Sequence, residues 1–374
     1  VTNDDVLNLT TDISSNVSVE TLLARVTRDN SFTVSGFTLP GVTVQIESDG
    51  DGRFDEQSAV AATDGSYSFD ITLTNTAANN GLNVFQVRAI EPNESVEQIS
   101  EQFLVHLAVG TVIRFGVNQD FNQDGTNEFF DVELLDTDAP NTVANFLSYV
   151  NDGSYNNLLA HRSPPGFVVQ GGGFTVSNSV VSPVVARAAI AGEFDDASNS
   201  NIDGTLSMAL TGAGPNSGTS GWFFNLGDNS GLDANKHTVF GRVIAGGIDV
   251  LRFINQNIDT IDLTLVTGQQ GLLQNTPVVR SPLTSLSGTS NLTVNSNLVQ
   301  GTGTLFTTEL QVGSVIVDPF GQQLIVTSIT SNTSLTVDLD ANRSDTAVPF
   351  SLLNLPADDD YVIFSSIGEI LDQI

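Results

Sequence analysis

Two stretches in the middle of the chain decide how the rest of it is interpreted. Residues 161–175 read HRSPPGFVVQGGGFT, and residues 204–243 read GTLSMALTGAGPNSGTSGWFFNLGDNSGLDANKHTVFGRV. Both are rich in turn residues, and both interleave aromatic and aliphatic side chains with isolated polar groups such as Arg162, Gln170 and His237. This composition is typical of an apolar pocket that holds a few placed hydrogen-bond donors and acceptors.

Covalent catalysis is not indicated by these stretches. His161 and His237 are possible bases, but neither has a G-x-S-x-G motif or a comparable nucleophile beside it. The chain also contains no cysteine, which excludes thiolate nucleophiles, thiolate metal sites and disulfides.

The sequence around this block predicts mostly β-structure. In residues 1–108, short alternating runs such as SYSFDITL and LNVFQVRAI recur about every 8–12 residues between turn residues, which indicates a β-sandwich. With DGSYSF as its most specific piece, this pattern resembles a bacterial immunoglobulin-like module. Residues 284–355 have the same alternating character. Helical spacing occurs instead in residues 142–149 and 248–254.

Five motifs follow one another through the middle block and cover nearly all of residues 109–255. They are APNTVANFLSYVNDGSYNN, HR-x-x-PGF-x-x-QGGGFT, GTLSMA, GPNS-x-TS-x-x-FFNL and LD…H-x-VFGRV. In this order they resemble the cyclophilin family of peptidyl-prolyl cis-trans isomerases. The resemblance implies an eight-stranded antiparallel barrel with two helices. The predicted chain is therefore mainly β, with an immunoglobulin-like sandwich over 1–108, an isomerase domain over 109–283 and a small β-module over 284–355.

The segment DDDYVIFSSIGEIL, residues 358–371, predicts a strand that does not continue the turn-rich pattern before it. It could be the last strand of the β-module. It could also close the barrel, with residues 356–374 returning to the isomerase domain and the module inserted between. We favour the insertion.

The resemblance also implies roles for single residues. Arg162 takes the family's catalytic arginine position, Phe167 the proline-pocket position, Gln170 the position that bonds the substrate backbone, and His237 the pocket-edge position. The residues predicted to bind substrate are Val168, Ala209, Leu210, Phe223 and Leu232. The expected partners are proline-containing peptides and proteins. No catalytic cofactor is expected, because rotation about an amide needs no nucleophile.

Two glycines depart from the family pattern. Gly221 stands where a substrate-contacting glutamine is usual, and Gly231 replaces the tryptophan or phenylalanine that normally precedes Leu-Asp. The predicted pocket is therefore wider and less aromatic, and we expect weak binding of cyclosporin-type ligands.

Two acidic segments have the spacing of calcium loops, in which oxygen ligands alternate around a glycine. The candidate ligands of the first are Asp120, Asn122, Asp124, Thr126, Glu128 and Asp131. The weaker second set is Glu47, Asp49, Asp51, Arg53 and Asp55. Asn, Asp and Gly are equally natural in a hairpin turn, so a plain turn remains the alternative for the first segment.

The net charge of the chain limits the classes of partner and the cellular location that we expect. With 43 acidic and 12 basic residues the net charge is −31. A field of this sign repels phosphate backbones and anionic membranes, and no apolar run reaches the ~18 residues of a membrane helix. We expect a secreted, periplasmic or surface protein of a bacterium, marine or salt-adapted. The rival interpretation is a calcium-stabilised surface or adhesion protein whose cyclophilin-like domain binds proline segments without turnover.

Overall fold

The computed structural model shows a chain built mainly from β-strands, as the sequence predicts. The structure describes residues 7–10, 25–49, 51–76, 79–90, 97–100, 102–195, 199–244, 246–269 and 272–370. Parts of the predicted domains, including residues 1–6, 11–24 and 371–374, lie outside the described residues.

The N-terminal part forms two sheets with a shared core. Its strands are β1 (Leu7–Thr10), β2 (Arg25–Thr27), β3 (Ser31–Phe37), β4 (Thr43–Glu47), β5 (Gln57–Val60), β6 (Ser66–Thr72), β7 (Leu82–Ile90), β8 (Glu97–Ile99) and β9 (Phe103–Leu107). One sheet has the order β1-β3-β6, and the other β2-β9-β7-β4-β5 with β8 beside β7. Alternate residues of β6 and β7 are buried, so Phe69 and Phe85 pack in the same cluster. The immunoglobulin-like assignment stays a prediction.

The middle block contains most strands of a third sheet, a separate two-stranded sheet formed by its last two strands, and the two longest helices of the described residues. The strands are β10 (Val112–Val117), β11 (Phe129–Leu134), β12 (Leu158–Leu159), β13 (Val168–Gly171), β14 (Phe174–Ser177), β15 (Val180–Pro183), β16 (Thr205–Met208), β17 (Trp222–Asn225), β18 (Val239–Ile244), β19 (Thr260–Ile261) and β20 (Thr276–Pro277). The helices are α1 (Pro140–Asn151), α2 (Ile248–Asn257) and the single turn α3 (Thr264–Thr267), and a 3₁₀ helix spans Ser230–Asn235.

The remaining elements belong to the β-module and the last strand. They are β21 (Leu283–Ser285), β22 (Thr289–Leu292), β23 (Leu298–Thr302), the single turn α4 (Phe306–Glu309), β24 (Val315–Val317), β25 (Gln323–Ser331), β26 (Ser334–Val337), β27 (Asp345–Val348), β28 (Ser351–Leu353), a 3₁₀ turn Asp358–Asp360 and β29 (Ile363–Glu369). The module strands form one sheet in the order β21-β28-β24-β25-β26-β23-β22-β27.

The large sheet of the middle block closes into a barrel. Its order is β13-β17-β16-β18-β11-β10-β29-β12-β14-β15. The chain that follows β12 pairs with β13, because Arg162 forms an antiparallel bridge with Gln170 and the N–H of His161 donates to the Gln170 carbonyl at 3.0 Å. The closed ring therefore contains eight strands, and the β14–β15 hairpin extends from β12. This confirms the barrel that the sequence resemblance implies.

Strand β29 is one of the eight strands of this ring and pairs with β10 on one side and with β12 on the other. The chain thus leaves the barrel after β20, forms the module and returns to the barrel sheet. The module also packs on the barrel, since Val315 and Leu353 of the module share a buried cluster with Leu159, Phe174 and Ile363 of the barrel sheet.

The barrel core is built around Phe115. Its ring stacks on Phe130 at a centroid distance of 5.0 Å, meets Trp222 edge-on at 5.5 Å and meets Phe364 edge-on at 5.8 Å. All four rings are fully buried. Such aromatic pairs each contribute ~0.5–1.5 kcal/mol beyond burial of their area, so Phe364 ties β29 to strands far away in the sequence.

Helix α1 begins with Pro140 at its first turn and receives no side-chain cap from the preceding residue. The carboxylate of Glu193 accepts the free N–H groups of Asn141 at 3.0 Å and Thr142 at 2.7 Å instead. Both predicted helices are present and extend beyond the predicted segments. Among the described residues, no helix has the length and apolarity to cross a bilayer.

A buried carboxylate joins the N-terminal part to the barrel. Glu133 of β11 is 1% exposed. It accepts hydrogen bonds from the N–H groups of Val109 and Gly110, from His106 of β9 at 3.1 Å and from Arg242 at 2.9 Å. Burial alone would raise the pKa of Glu133, but these four donors outweigh it and lower the pKa from 4.5 to about 2.

We expect Glu133→Gln to destabilise the protein in a pH-dependent way. Because the folded-state pKa is below the unfolded one, the stabilisation is complete above about pH 4.5 and is lost as the pH falls toward 2; at pH 7 it amounts to about 3 kcal/mol. In urea unfolding, the difference from wild type should therefore shrink by about half at pH 3. Exposed Asp138→Asn is the control, and a pH-independent difference for Glu133→Gln would contradict this account.

Candidate active site

The nine residues predicted to act on or bind a substrate line a single cavity of about 180 Å³. They are Arg162, Phe167, Val168, Gln170, Ala209, Leu210, Phe223, Leu232 and His237. Apolar side chains make up most of the lining. The polar groups are one guanidinium, one amide and one imidazole, which is the composition of a pocket that grips an apolar group beside a polar one.

Neighbouring strands bring these residues together. Gln170 of β13 lies opposite Phe223 of β17, and the carbonyl of Arg162 accepts the N–H of Gln170 at 2.8 Å. Ala209 follows β16 and donates its N–H to the carbonyl of Gly221 at 2.9 Å. The bridge that closes the barrel is therefore also the contact that sets Arg162 beside the pocket.

The glycines after Gln170 are required by the close approach of β17. A Cβ on Gly171 would lie 2.5 Å from the Trp222 ring. Gly172 has a φ of +80°, and a Cβ there would lie 2.1 Å from the carbonyl oxygen of Ser220. Only glycine fits both positions, so the QGGG sequence follows from the packing behind the pocket.

Arg162 is half-buried and keeps most of its donors. Its Nη1 donates to Oε1 of Gln170 at 3.4 Å, and its Cζ lies 5.7 Å from the ring centroid of Phe167. Within the described part of the chain its guanidinium makes no other hydrogen bond and no ion pair. Burial lowers the pKa of Arg162, but an arginine in a protein stays a cation, so several N–H donors remain available to a ligand.

His237 is fixed in one tautomer by the backbone. Its Nδ1 lies 2.9 Å from the carbonyl oxygen of Met208, and a carbonyl can only accept, so Nδ1 carries the hydrogen. The ring meets Phe223 edge-on at 5.4 Å. In the neutral ring Nε2 is therefore an acceptor.

The two glycines that depart from the family pattern leave different amounts of space. A Cβ on Gly231 would meet no atom of the described residues within 4 Å, whereas one on Gly221 would lie 3.3 Å from the Cβ of Ala209. The structure thus has open space at Gly231, where the family carries an aromatic side chain, while the approach at Gly221 is tight.

His161 is buried directly before Arg162. Its ring meets Phe174 edge-on at 5.2 Å. Burial, with a smaller contribution from the Arg162 charge, lowers the pKa of His161 to about 4. The imidazole is therefore neutral at ordinary pH, and Arg162 is the cation of this strand.

Two larger clefts lie at the domain junctions. One of about 700 Å³ separates the barrel from the β-module and is lined by Asp259, Asp262 and Asp318 among others, with no cation among its described lining residues. The other, of about 470 Å³, lies beside the N-terminal part. The guanidinium of Arg242 in this cleft donates hydrogen bonds to Glu133 and Asn80. Among the described residues that line them, neither cleft has a cation free of a carboxylate beside an apolar wall, so the smaller cavity is the better candidate site.

In the structure, the carboxylates of the first predicted calcium loop accept hydrogen bonds from donors of the same loop. Asp120 accepts the N–H of Gly125 at 2.9 Å, and Asp124 accepts the N–H and hydroxyl of Thr126. Across the described residues, the loop does not bring three carboxylates within metal-sharing distance.

Asp131, predicted as the twelfth-position ligand of this loop, has a different partner in the structure. Asp131 is buried on β11, where both its oxygens accept from the Arg114 guanidinium at 2.9 Å. Bidentate pairing with arginine occupies the carboxylate. Strand periodicity, and not the loop spacing, decides where this side chain points.

The second predicted loop does assemble a candidate metal site. Its ligand oxygens lie within 4.8 Å of one another and belong to Glu47, Asp49, Asp51 and Glu56. We call these four residues the acidic cluster. Asp55, which the spacing predicts as a ligand, is exposed and is not part of the cluster.

Glu56 is the member of the acidic cluster that the sequence did not indicate. Both its carboxylate oxygens are buried and have no hydrogen-bond partner among the described residues, which omit residue 50 of this loop. Arg53, which the spacing also predicts as a ligand, approaches Asp51 with its guanidinium at 3.5 Å. A buried carboxylate without a donor is costly, so the acidic cluster fits a divalent cation chemically.

The eight-stranded barrel and the arginine-edged apolar cavity define a protein of the cyclophilin class. Residues 120–280 match the family model described as cyclophilin type peptidyl-prolyl cis-trans isomerase/CLD. The chain is 37% identical to a peptidyl-prolyl cis-trans isomerase of Acinetobacter baylyi over 39% of its own length and 73% of the relative. It is 34% identical to peptidyl-prolyl cis-trans isomerase B of Escherichia coli over 39% of its length and 85% of the relative. The chain belongs to the cyclophilin-type peptidyl-prolyl cis-trans isomerase family.

Other similarities cover less or are more distant. Peptidyl-prolyl cis-trans isomerase A of Dickeya dadantii is 40% identical, and the match spans 31% of this chain and 60% of that relative. A crystal structure of a Cryptosporidium parvum cyclophilin type peptidyl-prolyl cis-trans isomerase aligns over 38% of this chain and 85% of that one, with 22% identity and a TM-score of 0.31.

Proposed function

We propose that the cavity isomerises X–Pro peptide bonds of exported or cell-surface proteins, with Arg162 as the catalytic residue. The observation that carries this proposal is one half-buried guanidinium at the edge of an apolar cavity. The volume of about 180 Å³ is below the ~300–1,000 Å³ of pockets for drug-sized ligands. A small ring such as that of proline suits such a space.

The chemistry needs only a group that prefers the twisted amide. Rotation about the bond crosses ~18–20 kcal/mol because it breaks amide resonance. In the twisted state the prolyl nitrogen regains a lone pair, which an N–H of Arg162 can meet. Phe167, Phe223 and Leu232 hold the ring in both states, so the guanidinium supplies the preference for the transition state. Gln170 holds Arg162 through Oε1 and can offer its Nε2 hydrogens to a substrate carbonyl.

We expect Arg162→Ala to lower kcat/KM by roughly 10²-fold, the effect of losing one preorganised electrostatic donor. Arg162→Lys should recover part of this loss, because it keeps the charge but not the planar fork. Arg187→Ala removes a surface arginine paired with Asp152 and serves as the control. The assay is isomerisation of a series of proline tetrapeptides, and wild-type turnover in Arg162→Ala would refute the assignment.

The rival function is capture of proline segments without turnover by a calcium-stabilised surface protein. The open rim at Gly231 and the acidic cluster favour it. The same assay separates the two, since a capture protein binds the tetrapeptides but leaves their exchange rate at the uncatalysed value.

We also propose that the protein works outside the cytoplasm. A net charge of −31 is best tolerated where salt screens self-repulsion. A cation site made of exposed and buried carboxylates suits a compartment rich in calcium. Immunodetection in fractionated cells of the source organism should find the protein in the envelope or the medium, and a purely cytoplasmic signal would contradict the proposal.

A further part of the proposal is that the acidic cluster binds Ca²⁺. Calcium–oxygen distances of ~2.3–2.6 Å place opposite ligands about 5 Å apart, and the cluster oxygens lie within 4.8 Å of one another. Glu47 is 3% exposed, and within the described part of the chain the oxygens of Glu56 have no hydrogen-bond partner. The ion would relieve carboxylate repulsion and take no part in amide rotation.

We expect Ca²⁺ to raise the melting temperature and Glu56→Gln to abolish this rise. Binding to the folded state alone adds ~2.7 kcal/mol at a hundredfold excess over Kd. In the presence of a chelator, we expect the melting temperature of Glu56→Gln to equal or exceed that of wild type, because the substitution removes a buried charge. Asp55→Asn, which also replaces a carboxylate by an amide and lies one residue earlier, is the matched control. At constant ionic strength, equal calcium responses in both variants would rule out the acidic cluster as the site.

A further inference from the structure

A connected set of polar side chains lies behind the wall of the cavity and outside its lining. We call it the Asn201 network and define its members as Ser200, Asn201, Asn225, Asn229 and Asp233. Asn201 and Asn225 are fully buried. Buried amides are stable only where their donors and acceptors are satisfied, and a satisfied network fixes the geometry of what it joins.

One end of the network holds the segment that carries Leu232 and His237. Oδ1 of Asp233 accepts the N–H of Asn201 at 2.9 Å and its Nδ2 at 2.7 Å. The same Nδ2 lies 3.1 Å from the carbonyl oxygen of His237. Ser200 donates its hydroxyl to Oδ2 of Asp233 at 2.5 Å. One carboxylate thus orders the amide that holds the backbone of a pocket residue.

The other end of the network reaches Phe167, across the cavity wall. Nδ2 of Asn225 lies 3.3 Å from Oδ1 of Asn201. Asn229 donates its Nδ2 both to Oδ1 of Asn225 at 2.8 Å and to the carbonyl of Phe167 at 3.0 Å. An unbroken path of side-chain hydrogen bonds therefore joins the backbone at Phe167 to the backbone at His237.

The segment between β17 and β18 depends on these bonds because it has little regular structure of its own. It contains one 3₁₀ helix, Ser230–Asn235. Leu232 and His237 are half-buried, and the N–H of Leu232 is held by the carbonyl of Asn229 at 2.8 Å. Burial raises the pKa of Asp233, but the donors Ser200 and Asn201 outweigh this and lower it, so the carboxylate is ionised at neutral pH.

We infer that the Asn201 network is a positioning device that sets the distance of Leu232 and His237 from Phe167, and that Asp233 is the positioning residue that fixes the side chain of Asn201. Asp233 does not line the cavity; it acts through Asn201. The kinetic part of this inference rests on the proposed function, whereas its structural part does not.

The kinetic test is Asp233→Ala against Asp228→Ala. Asp228 lies in the same segment, is exposed, and caps the N–H of Ser230 at 3.0 Å, so the control makes the same substitution nearby. Asp233→Ala should raise KM by roughly tenfold and change kcat by less than about twofold, because the wall moves while Arg162 stays. Asp233→Asn should restore most of the affinity, since an amide oxygen can still accept both hydrogen bonds from Asn201.

The structural test does not need activity. The chain has three histidines, and His106 and His161 are buried elsewhere. In ¹⁵N NMR, Asp233→Ala should move the ring signals of His237 and lead to a mixture of tautomers, while the other two histidines are unchanged. Trp222, the single tryptophan, is fully buried in the barrel core, and its unchanged fluorescence would show that the barrel remains folded.

The outcomes separate this inference from the proposed function. Wild-type KM and wild-type His237 signals in Asp233→Ala would overturn the positioning role, even where Arg162→Ala is inactive. Wild-type turnover in Arg162→Ala would overturn the proposed function, and displaced His237 signals would still support the network. Should Asp233→Ala not fold, Asn229→Ala is measured instead; it leaves the Leu226 N–H on the Phe167 carbonyl at 3.0 Å, and unchanged KM and His237 signals there would overturn the inference.

Discussion

The pairing of Arg162 with Gln170 is the interaction on which the rest of the barrel depends. It joins the chain after β12 to β13 and so closes a ring of eight strands. The same backbone bonds set the guanidinium beside Phe167 and the amide of Gln170. Closure of the sheet and assembly of the site are therefore one event, and a change that opens this bridge would also displace the cation from the cavity.

Closure has a second requirement far away in the sequence. Strand β29 fills the place between β10 and β12, and Phe364 packs against Phe115 in the core. In the sequence, β29 follows the strands of the β-module. Since the module shares a buried cluster with Leu159 and Ile363, it is packed onto the barrel and is more than a tethered appendage.

The nine site residues were predicted from motifs that resemble the cyclophilin family, and the structure brings them around one cavity. The glycines after Gln170 are needed where Trp222 and Ser220 approach, which gives a physical reason for one of these motifs. Residues whose partners cannot be inferred from motifs or loop spacing were not predicted. Glu56 belongs to a cluster that the loop spacing assigns to Asp55, and Asp131 is drawn to Arg114 on the neighbouring strand. The Asn201 network was missed because its members look like ordinary turn residues until the barrel brings them together.

The distribution of charge explains why Arg162 can serve as the site's cation. With 43 acidic and 12 basic residues, an arginine readily finds a carboxylate, and Arg114, Arg187 and Arg242 each pair with one. Among the described residues, Arg162 contacts the neutral amide of Gln170 and no carboxylate. A carboxylate would occupy its donors and screen its charge. Contact with an amide constrains the direction of this guanidinium and leaves its charge uncompensated, as the proposed stabilisation of a twisted prolyl amide requires.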